Sequence, residues 1–263
     1  MSLLESLKTL NISKDAVTAL RVKSTTDDNN IPMHTHEKGQ LIFTLRGGVT
    51  SIAPDTYWFI PLNHAVWIPA EVPHSNKVTH DAEVFLLYID STLINMPPTP
   101  CTLKLTPMLR EMIKHYETIS NKKYNSDYTS KFIDVMLHEL ANIQRESFSL
   151  PISENPKIRL LADYIMTNPT SRLTIELWAK NMAMSKRTFE RFILKETGIS
   201  FGRWRQKLQL LIAIRLLNSG VTVQNVAYEL GYDSVTSFII MFKKNIGKTP
   251  GHYINDKLDH VNT

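Results

Sequence analysis

The chain has 263 residues and a formal net charge of +5 at pH 7, with 43% hydrophobic and 21% charged residues. That apolar content excludes a largely disordered chain, and no apolar run approaches the roughly 18–20 residues that cross a bilayer, so an integral membrane protein is excluded. The single cysteine, Cys101, excludes an internal disulfide framework, and without a basic-then-apolar leader at the start a cytoplasmic protein is expected.

In chain order, residues 30–90 carry the first pattern. Gln40–Leu45, Thr56–Ile60, Ala65–Ile68 and Glu83–Ile89 are rich in β-branched and aromatic residues, which predicts strands. Turn signals separate them at Arg46-Gly47-Gly48, Ala53-Pro54-Asp55, Pro61-Leu62-Asn63 and Val72-Pro73-His74. Short strands at near-regular spacing predict a small β-sandwich or barrel. Pro97, Pro98 and Pro100 break the pattern over 91–101. Apolar residues at three- and four-residue steps then predict helices over Leu105–Ile119 and Asp127–Arg145, joined by a polar loop. Residues 147–155 read as a linker, which divides the chain into 1–146, 147–155 and 156–263. Beyond it the pattern is helical throughout, near 157–167, 174–182, 185–197, 201–218, 222–230, 235–246 and 250–257.

Charge follows the same division. Residues 1–150 hold 14 Lys+Arg against 16 Asp+Glu, a net of −2, and residues 151–263 hold 16 against 9, a net of +7. A basic C-terminal half suits a nucleic-acid partner.

That half repeats itself at an offset of 49 residues. Ser185 matches Ser234, Phe189 matches Phe238, Lys195 matches Lys244 and Gly198 matches Gly247, with Ile193 and Phe242 in the same register. Ala179 and Ala227 occupy matching places upstream. Each copy has the layout of a helix-turn-helix: a small residue where the helices cross, a tight turn, a serine that caps the second helix, and apolar residues at four-residue steps facing a core. The positions between them face outward, where they can enter a major groove.

These residues resemble the AraC/XylS-type transcriptional regulators across 156–263. The resemblance is carried by Val226-Ala227-Tyr228-Glu229-Leu230-Gly231-Tyr232-Asp233-Ser234, Phe238, Met241-Phe242-Lys243-Lys244, Gly247, Thr249-Pro250 and Tyr253, and in the first copy by Ser185 to Arg191 and Glu196-Thr197-Gly198. It implies an all-α domain with two helix-turn-helix units joined by a long helix at Phe201–Asn218. Eighteen residues at ~1.5 Å each make a rod of roughly 27 Å, suited to two readers about one DNA turn apart. Ser185, Lys186, Arg187, Thr188, Glu190 and Arg191 of the first copy are the expected DNA contacts. Ser234, Val235, Thr236, Ser237, Ile239, Ile240 and Lys243 are those of the second. Arginine suits guanine and glutamate suits cytosine. Ile239 and Ile240 depart from the family's usual polar or arginine residues; thymine-methyl contact and core packing are both open to them. Ala183 stands in the first turn where glycine is common.

The N-terminal half carries His34-Thr35-His36, Gln40 and Gly47, then Pro69-Ala70-Glu71-Val72-Pro73-His74. The order and spacing resemble the two cupin motifs, which implies a β-barrel sensor with His34, His36, Gln40 and His74 at its effector site; Trp67 adds aromatic surface and is expected in the effector set beside them. In metal-binding cupins two histidines, an acid and a last histidine hold one divalent ion. Here Gln40 takes the place of the acid and Glu71 that of a turn glycine. Three imidazoles suit Zn, Ni or Fe, so three readings stand: a metal at His34, His36 and His74, a metal-free effector pocket, or a structural role. Tyr57 and Phe59 fall on one strand face and Trp58 on the other.

The resemblance further implies dimerisation through the helices of 105–145, double-stranded DNA and a small-molecule effector as partners, RNA polymerase as a further one, and no membrane. It implies control of neighbouring genes without catalysis. The competing reading is a metal-dependent cupin enzyme, an oxygenase or isomerase, with an appended DNA-binding module. Gln40 in place of the acid argues against it.

Overall fold

A computed structural model describes residues 15–24, 30–53, 56–60, 64–78, 82–120, 126–146, 149–153, 155–171 and 173–258. The expected turns at 54–55 and 61–63 and most of the polar loop, 121–125, lie outside the described residues. The chain divides into two compact units, Met1–Ala53 with Trp58–Ser149, and Leu150–Thr263 with Pro54–Tyr57.

The N-terminal half is built from β1 (Val17–Lys23), β2 (Asn30–His34), β3 (Gly39–Arg46), β4 (Val49–Ala53), β5 (Thr56–Phe59), β6 (His64–Ile68), β7 (His74–Val78), β8 (Glu83–Ile89) and β9 (Cys101–Lys104). Helices α1 (Pro107–Ser120) and α2 (Ser126–Ala141) follow, then the short strands β10 (Arg145–Glu146) and β11 (Ser149–Pro151). One sheet has the order β1-β8-β3-β6-β9-β10 and the other β11-β5-β4-β7-β2. The pairing is antiparallel, with Gln40 opposite Ile68 on β6 and Tyr88 on β8.

Alternation along β3 sorts two cores. Ile42 faces an interior shared by both sheets, with Val22, Val66, Ile68, Val84, Leu86 and Tyr88 from one and Ile31, Val49, Ala53 and Trp58 from the other. Leu41 and Phe43 face the opposite way, where Leu109, Ile113, Tyr116 and Ile119 of α1 and Met136, Leu137 and Leu140 of α2 cover the sheet. Both cores follow from the strand period of two and the helix period of 3.6. The Tyr116 hydroxyl donates to the Val17 carbonyl at 2.9 Å and fixes α1 against β1. At Gly39 any Cβ would collide with the Trp67 indole, whose Nε1 donates to the Pro97 carbonyl at 3.1 Å.

Several elements differ from the sequence-based expectation. Strands β1, β2, β4, β7 and β9 carry no clear apolar alternation. In β7 (HSNKV) the inward places are held by His74 and Asn76, and in β2 (NIPMH) a register shift separates the buried Ile31 from His34, so the signal that marks a half-buried strand is missing. The first helix begins at Pro107, not Leu105: Thr106 Oγ1 accepts from the Leu109 amide and caps it. Within 147–155, Ser149–Pro151 form a strand, and Leu150 and Ile152 are buried.

The C-terminal unit holds α3 (Pro156–Thr167), α4 (Ile175–Asn181), α5 (Lys186–Thr197), α6 (Phe201–Asn218), α7 (Val223–Glu229), α8 (Val235–Ile246) and α9 (Pro250–Leu258). Helix α6 is its spine. Phe201, Trp204, Leu208, Leu210 to Ile214 and Leu217 are buried around its whole circumference, as expected of a helix packed on every side. Trp204 Nε1 donates to the Pro151 carbonyl at 2.8 Å, and Ser153 Oγ donates to Glu196 of α5. The end of the expected linker is therefore bonded into this unit. No helix among the described residues is long and apolar enough to cross a membrane.

Candidate functional site

Two constellations stand out, one in each unit. In the N-terminal unit the end of β2, the turn before β3 and the start of β7 bring His34, His36 and His74 together. Their ring centroids lie 4.3 to 5.9 Å apart, and one nitrogen from each falls within 4.8 Å of the others. His36 and His74 are buried and His34 half-buried.

The backbone fixes how these rings present themselves. Nδ1 of His34 bonds the Pro32 carbonyl at 2.8 Å, that of His36 the Lys38 carbonyl at 2.5 Å, and that of His74 the Val72 carbonyl at 2.9 Å. A carbonyl only accepts, so each Nδ1 carries a proton, and in the neutral ring Nε2 is then the atom that offers a lone pair. Nε2 of His34 and of His36 is buried without a partner. Burial holds the His74 pKa down to about 3 and lowers that of His36, so both are neutral near pH 7. Three ring nitrogens thus converge from imidazoles whose other nitrogens are tied to the backbone, the arrangement that metal-binding histidines use.

Gln40 completes the group from β3. Its Oε1 lies 3.0 Å from His74 Nε2, and its Nε2 donates to the Tyr88 hydroxyl. Two acceptors face each other across that 3.0 Å. A bound cation relieves the conflict. So does turning the amide, which lets its NH₂ donate to His74 and its oxygen accept from Tyr88. The residues therefore fit a divalent ion held by three imidazoles, with the Gln40 amide oxygen as a fourth donor. Tyr88, 1% exposed, is the member that sequence reasoning missed; the alternation of β8 places it on the inner face beside Gln40. The Ser51 hydroxyl donates to Asn76 Oδ1 at 2.6 Å inside the same sheet pair. Glu71 keeps its turn without glycine, at φ 61°, and its amide donates to the His36 carbonyl at 2.9 Å.

Trp67 is a correction. It packs in the core between the sheet and α1 and α2, with Leu41, Phe43 and Leu103. Gln40 and Trp67 lie on opposite faces, because Trp67 pairs with Leu41 and not with Gln40. The aromatic side chains in the inner core are Trp58 and Tyr88, and Tyr57 is buried as well.

In the C-terminal unit the two copies fold alike. Ser185 Oγ accepts from the Thr188 amide at 3.2 Å, and Ser234 Oγ accepts from the Ser237 amide at 3.1 Å. Gly198 and Gly247 close the second helices at φ 73° and 81°. Phe189, Ile193, Phe238 and Phe242 are fully buried, and Ala179 and Ala227 sit at the helix crossings. Ala183 adopts φ 55° in the first turn, and Gly231 adopts φ 73° in the second. The turn keeps its left-handed geometry even where the sequence lacks glycine.

Helix α6 spaces the copies. Arg205 donates to the Leu173 and Ser171 carbonyls ahead of α4, and Gln209, one turn on, donates to the Leu230 carbonyl of the second turn. Of the expected contact residues, Arg187, Thr188, Glu190 and Arg191 are exposed on α5, as are Thr236, Ser237 and Lys243 on α8. Lys186 is tied back to Glu176 of α4 at 2.8 Å. Ile240 is 63% exposed, so it is not a core residue, while Ile239 is half-buried. A groove of about 360 Å³ runs beside α5, lined by Ile175, Arg187, Glu190, Arg191, Leu194 and Phe201 among others.

Comparison with known proteins places this geometry. The family described as a helix-turn-helix domain matches residues 178–256. The HTH-type transcriptional regulator NimR of Escherichia coli (strain K12) is 42% identical over 240 residues, covering 91% of this chain and 88% of that protein. The HTH-type transcriptional regulator RipA of Corynebacterium glutamicum is 29% identical over 189 residues, covering 71% of this chain and 54% of that protein. Among solved structures, ToxT from Vibrio cholerae is similar over 91% of this chain and 98% of its own, with a TM-score of 0.39 and 9% identity.

Proposed function

The chain belongs to the AraC/XylS-type transcriptional regulators, and we propose that it binds promoter DNA through both helix-turn-helix units under the control of a small molecule sensed by its β-barrel. The observation that carries this reading is the duplicated, serine-capped helix pair with its second helices exposed, mounted on one buried helix. Ser185, Arg187, Thr188, Glu190 and Arg191 serve one half-site. Lys186 adds charge there once released from Glu176. Ser234, Val235, Thr236, Ser237, Ile239, Ile240 and Lys243 serve the other. The charged α5 face suits guanine and cytosine edges. The apolar α8 face suits thymine methyls, with Ile240 foremost because it stands clear of the core.

The sensor is the His34, His36, His74 and Gln40 group. A divalent ion such as Zn, Ni or Fe supplies Lewis acidity and open coordination positions there. The convergence of three imidazoles whose Nδ1 atoms are tied to the backbone and whose remaining nitrogens turn toward one point supports that reading. Effector and DNA are coupled to the extent that the effector prefers one state of the chain over the other. A homodimer, formed through α1 and α2, contact with RNA polymerase and a cytoplasmic location complete the proposal. We assign no catalytic step: the similar proteins reported above are transcriptional regulators.

Selection of genomic fragments by the purified full chain at roughly physiological salt tests the DNA reading. It is expected to enrich a site with two elements about one helical turn apart, the second T-rich. Arg187→Ala is expected to relax the first element and Ile240→Ala the second, each by about 1–3 kcal/mol in discrimination. Binding without enrichment overturns sequence-specific regulation. Metal content, measured on protein purified without a histidine tag and reconstituted, tests the sensor. Less than about 0.2 equivalents removes the metal.

A further inference from the structure

The donor set of the histidine cluster is electrically neutral, and that has a consequence for what completes it. As metal ligands His34, His36 and His74 bind as neutral imidazoles through Nε2, since each Nδ1 is engaged by a backbone carbonyl. Gln40 contributes an amide. Among the described residues no carboxylate or thiol joins the group. The acidic side chains closest along the chain, Glu37 and Glu71, are both exposed. Tyr88, which bonds Gln40, shares a core with Ile31, Ile42, Ile68 and Leu86, and the buried polar pair Ser51 and Asn76 is bonded to itself.

A divalent ion seated there keeps its whole charge of +2 in a low-dielectric interior. An isolated buried charge costs many kcal/mol unless an opposite charge accompanies it. With an acid at the position of Gln40 half of that charge would be cancelled by the protein. With glutamine none of it is. An anion in the open positions would supply the counter-charge that the protein does not.

We propose that the ligand of this barrel is a small anionic oxygen donor, of the carboxylate class, that binds the metal-loaded cluster as the counter-charge the protein withholds. The inference rests on the metal reading above. Gln40 acts as the residue that sets the charge of the site and thereby its preference for anions over neutral molecules of the same shape.

The test uses the full chain, without a histidine tag, loaded with Co(II), and begins with metal analysis. Malonate is the anionic probe and malonamide the neutral one of like shape, each titrated calorimetrically and against the visible Co(II) spectrum. Malonate is expected to bind about 100-fold more tightly than malonamide and to change the spectrum. Metal-free protein is expected to show neither effect. Gln40→Glu is expected to hold cobalt more tightly and to bind malonate about 10-fold more weakly, as an added negative charge a few ångström away requires. Equal affinity for the two probes, malonate binding that survives metal removal, or a Gln40→Glu protein that takes malonate as well as the parent each overturns the proposal. If the variant does not fold, the two-probe comparison on the parent decides alone. A parent chain that takes up no cobalt removes the metal reading and this proposal with it. That failure is visible in the metal analysis, before any probe is added.

Discussion

Two non-glycine residues, Glu71 and Ala183, hold positive φ where related motifs use glycine. A Cβ in the left-handed region costs roughly 1–2 kcal/mol, offset in part by the freedom that glycine loses on folding. Ala183→Gly is therefore expected to stabilise the C-terminal unit by about 0.5–1 kcal/mol, read as a higher urea midpoint. Loss of a serine cap works the other way: Ser234→Ala should cost about 1 kcal/mol, with far-UV circular dichroism following the loss of helix α8. The histidines set a pH dependence. Unfolded, each imidazole takes up a proton near pH 6.5; folded, His74 does so only near 3, and His36 below its usual range. The unfolded chain thus binds more protons over this window. The contribution is fully present above about 6.5 and is lost as pH falls toward about 3. Metal-free protein is expected to show a falling unfolding midpoint from pH 7 to 5, with a shallower fall in His74→Asn. An identical slope in the two proteins would refute it.

At the scale of elements, β3 and β6 show how one strand pair separates a site from a core. Gln40 faces the histidines, while its neighbours Gly39 and Leu41 lie against Trp67 or beside it in the pairing. Trp67 is held by its bond to Pro97 and cannot swing aside without breaking it. Gly39→Ala is therefore expected to destabilise by about 1–3 kcal/mol through overpacking, and the measurement is again the denaturant midpoint. Its metal content should stay near that of the parent, because the strain falls on the face away from the histidines. Helix α6 plays the corresponding part in the other unit. Arg205 and Gln209 bond opposite copies of the repeat one turn apart, so this helix sets the register of the two readers. Gln209→Ala is expected to weaken binding to two-element DNA more than to a fragment bearing only the first element, as measured by fluorescence anisotropy.

For the whole molecule, charge is segregated: a net of −2 over 1–150 against +7 over 151–263. If the basic half supplies the phosphate contacts, as proposed, affinity falls steeply with salt, with log K linear in log salt. Lys243→Ala is expected to lower that slope by about 1 without changing the preferred sequence. Arg187→Ala should change the sequence preference instead. That contrast separates charge that positions from charge that reads.

The DNA-binding half was legible in the sequence almost residue by residue. Helix period, caps and glycine stops are local properties, and a 49-residue repeat states each of them twice; Ser185 with Ser234 and Gly198 with Gly247 fold as that pattern requires. The histidines were legible as a motif, yet the strands that carry them were not, because β7 places His74 and Asn76 inward and β2 shifts register between Ile31 and His34, and both lose the apolar alternation that marks a strand. What only the tertiary structure decided is which faces meet. It set Trp67 on the helix side of the sheet, brought Tyr88 under Gln40 from 48 residues away, tied Lys186 to Glu176 and left Ile240 in the open. Each of these depends on pairing register and packing between distant segments, and a strand shifted by one residue would have reversed every inward position. Neutrality of the cluster was written in the sequence as Gln40. That its three imidazoles turn their Nε2 atoms toward one point was fixed by backbone carbonyls at Pro32, Lys38 and Val72, which no side-chain pattern records.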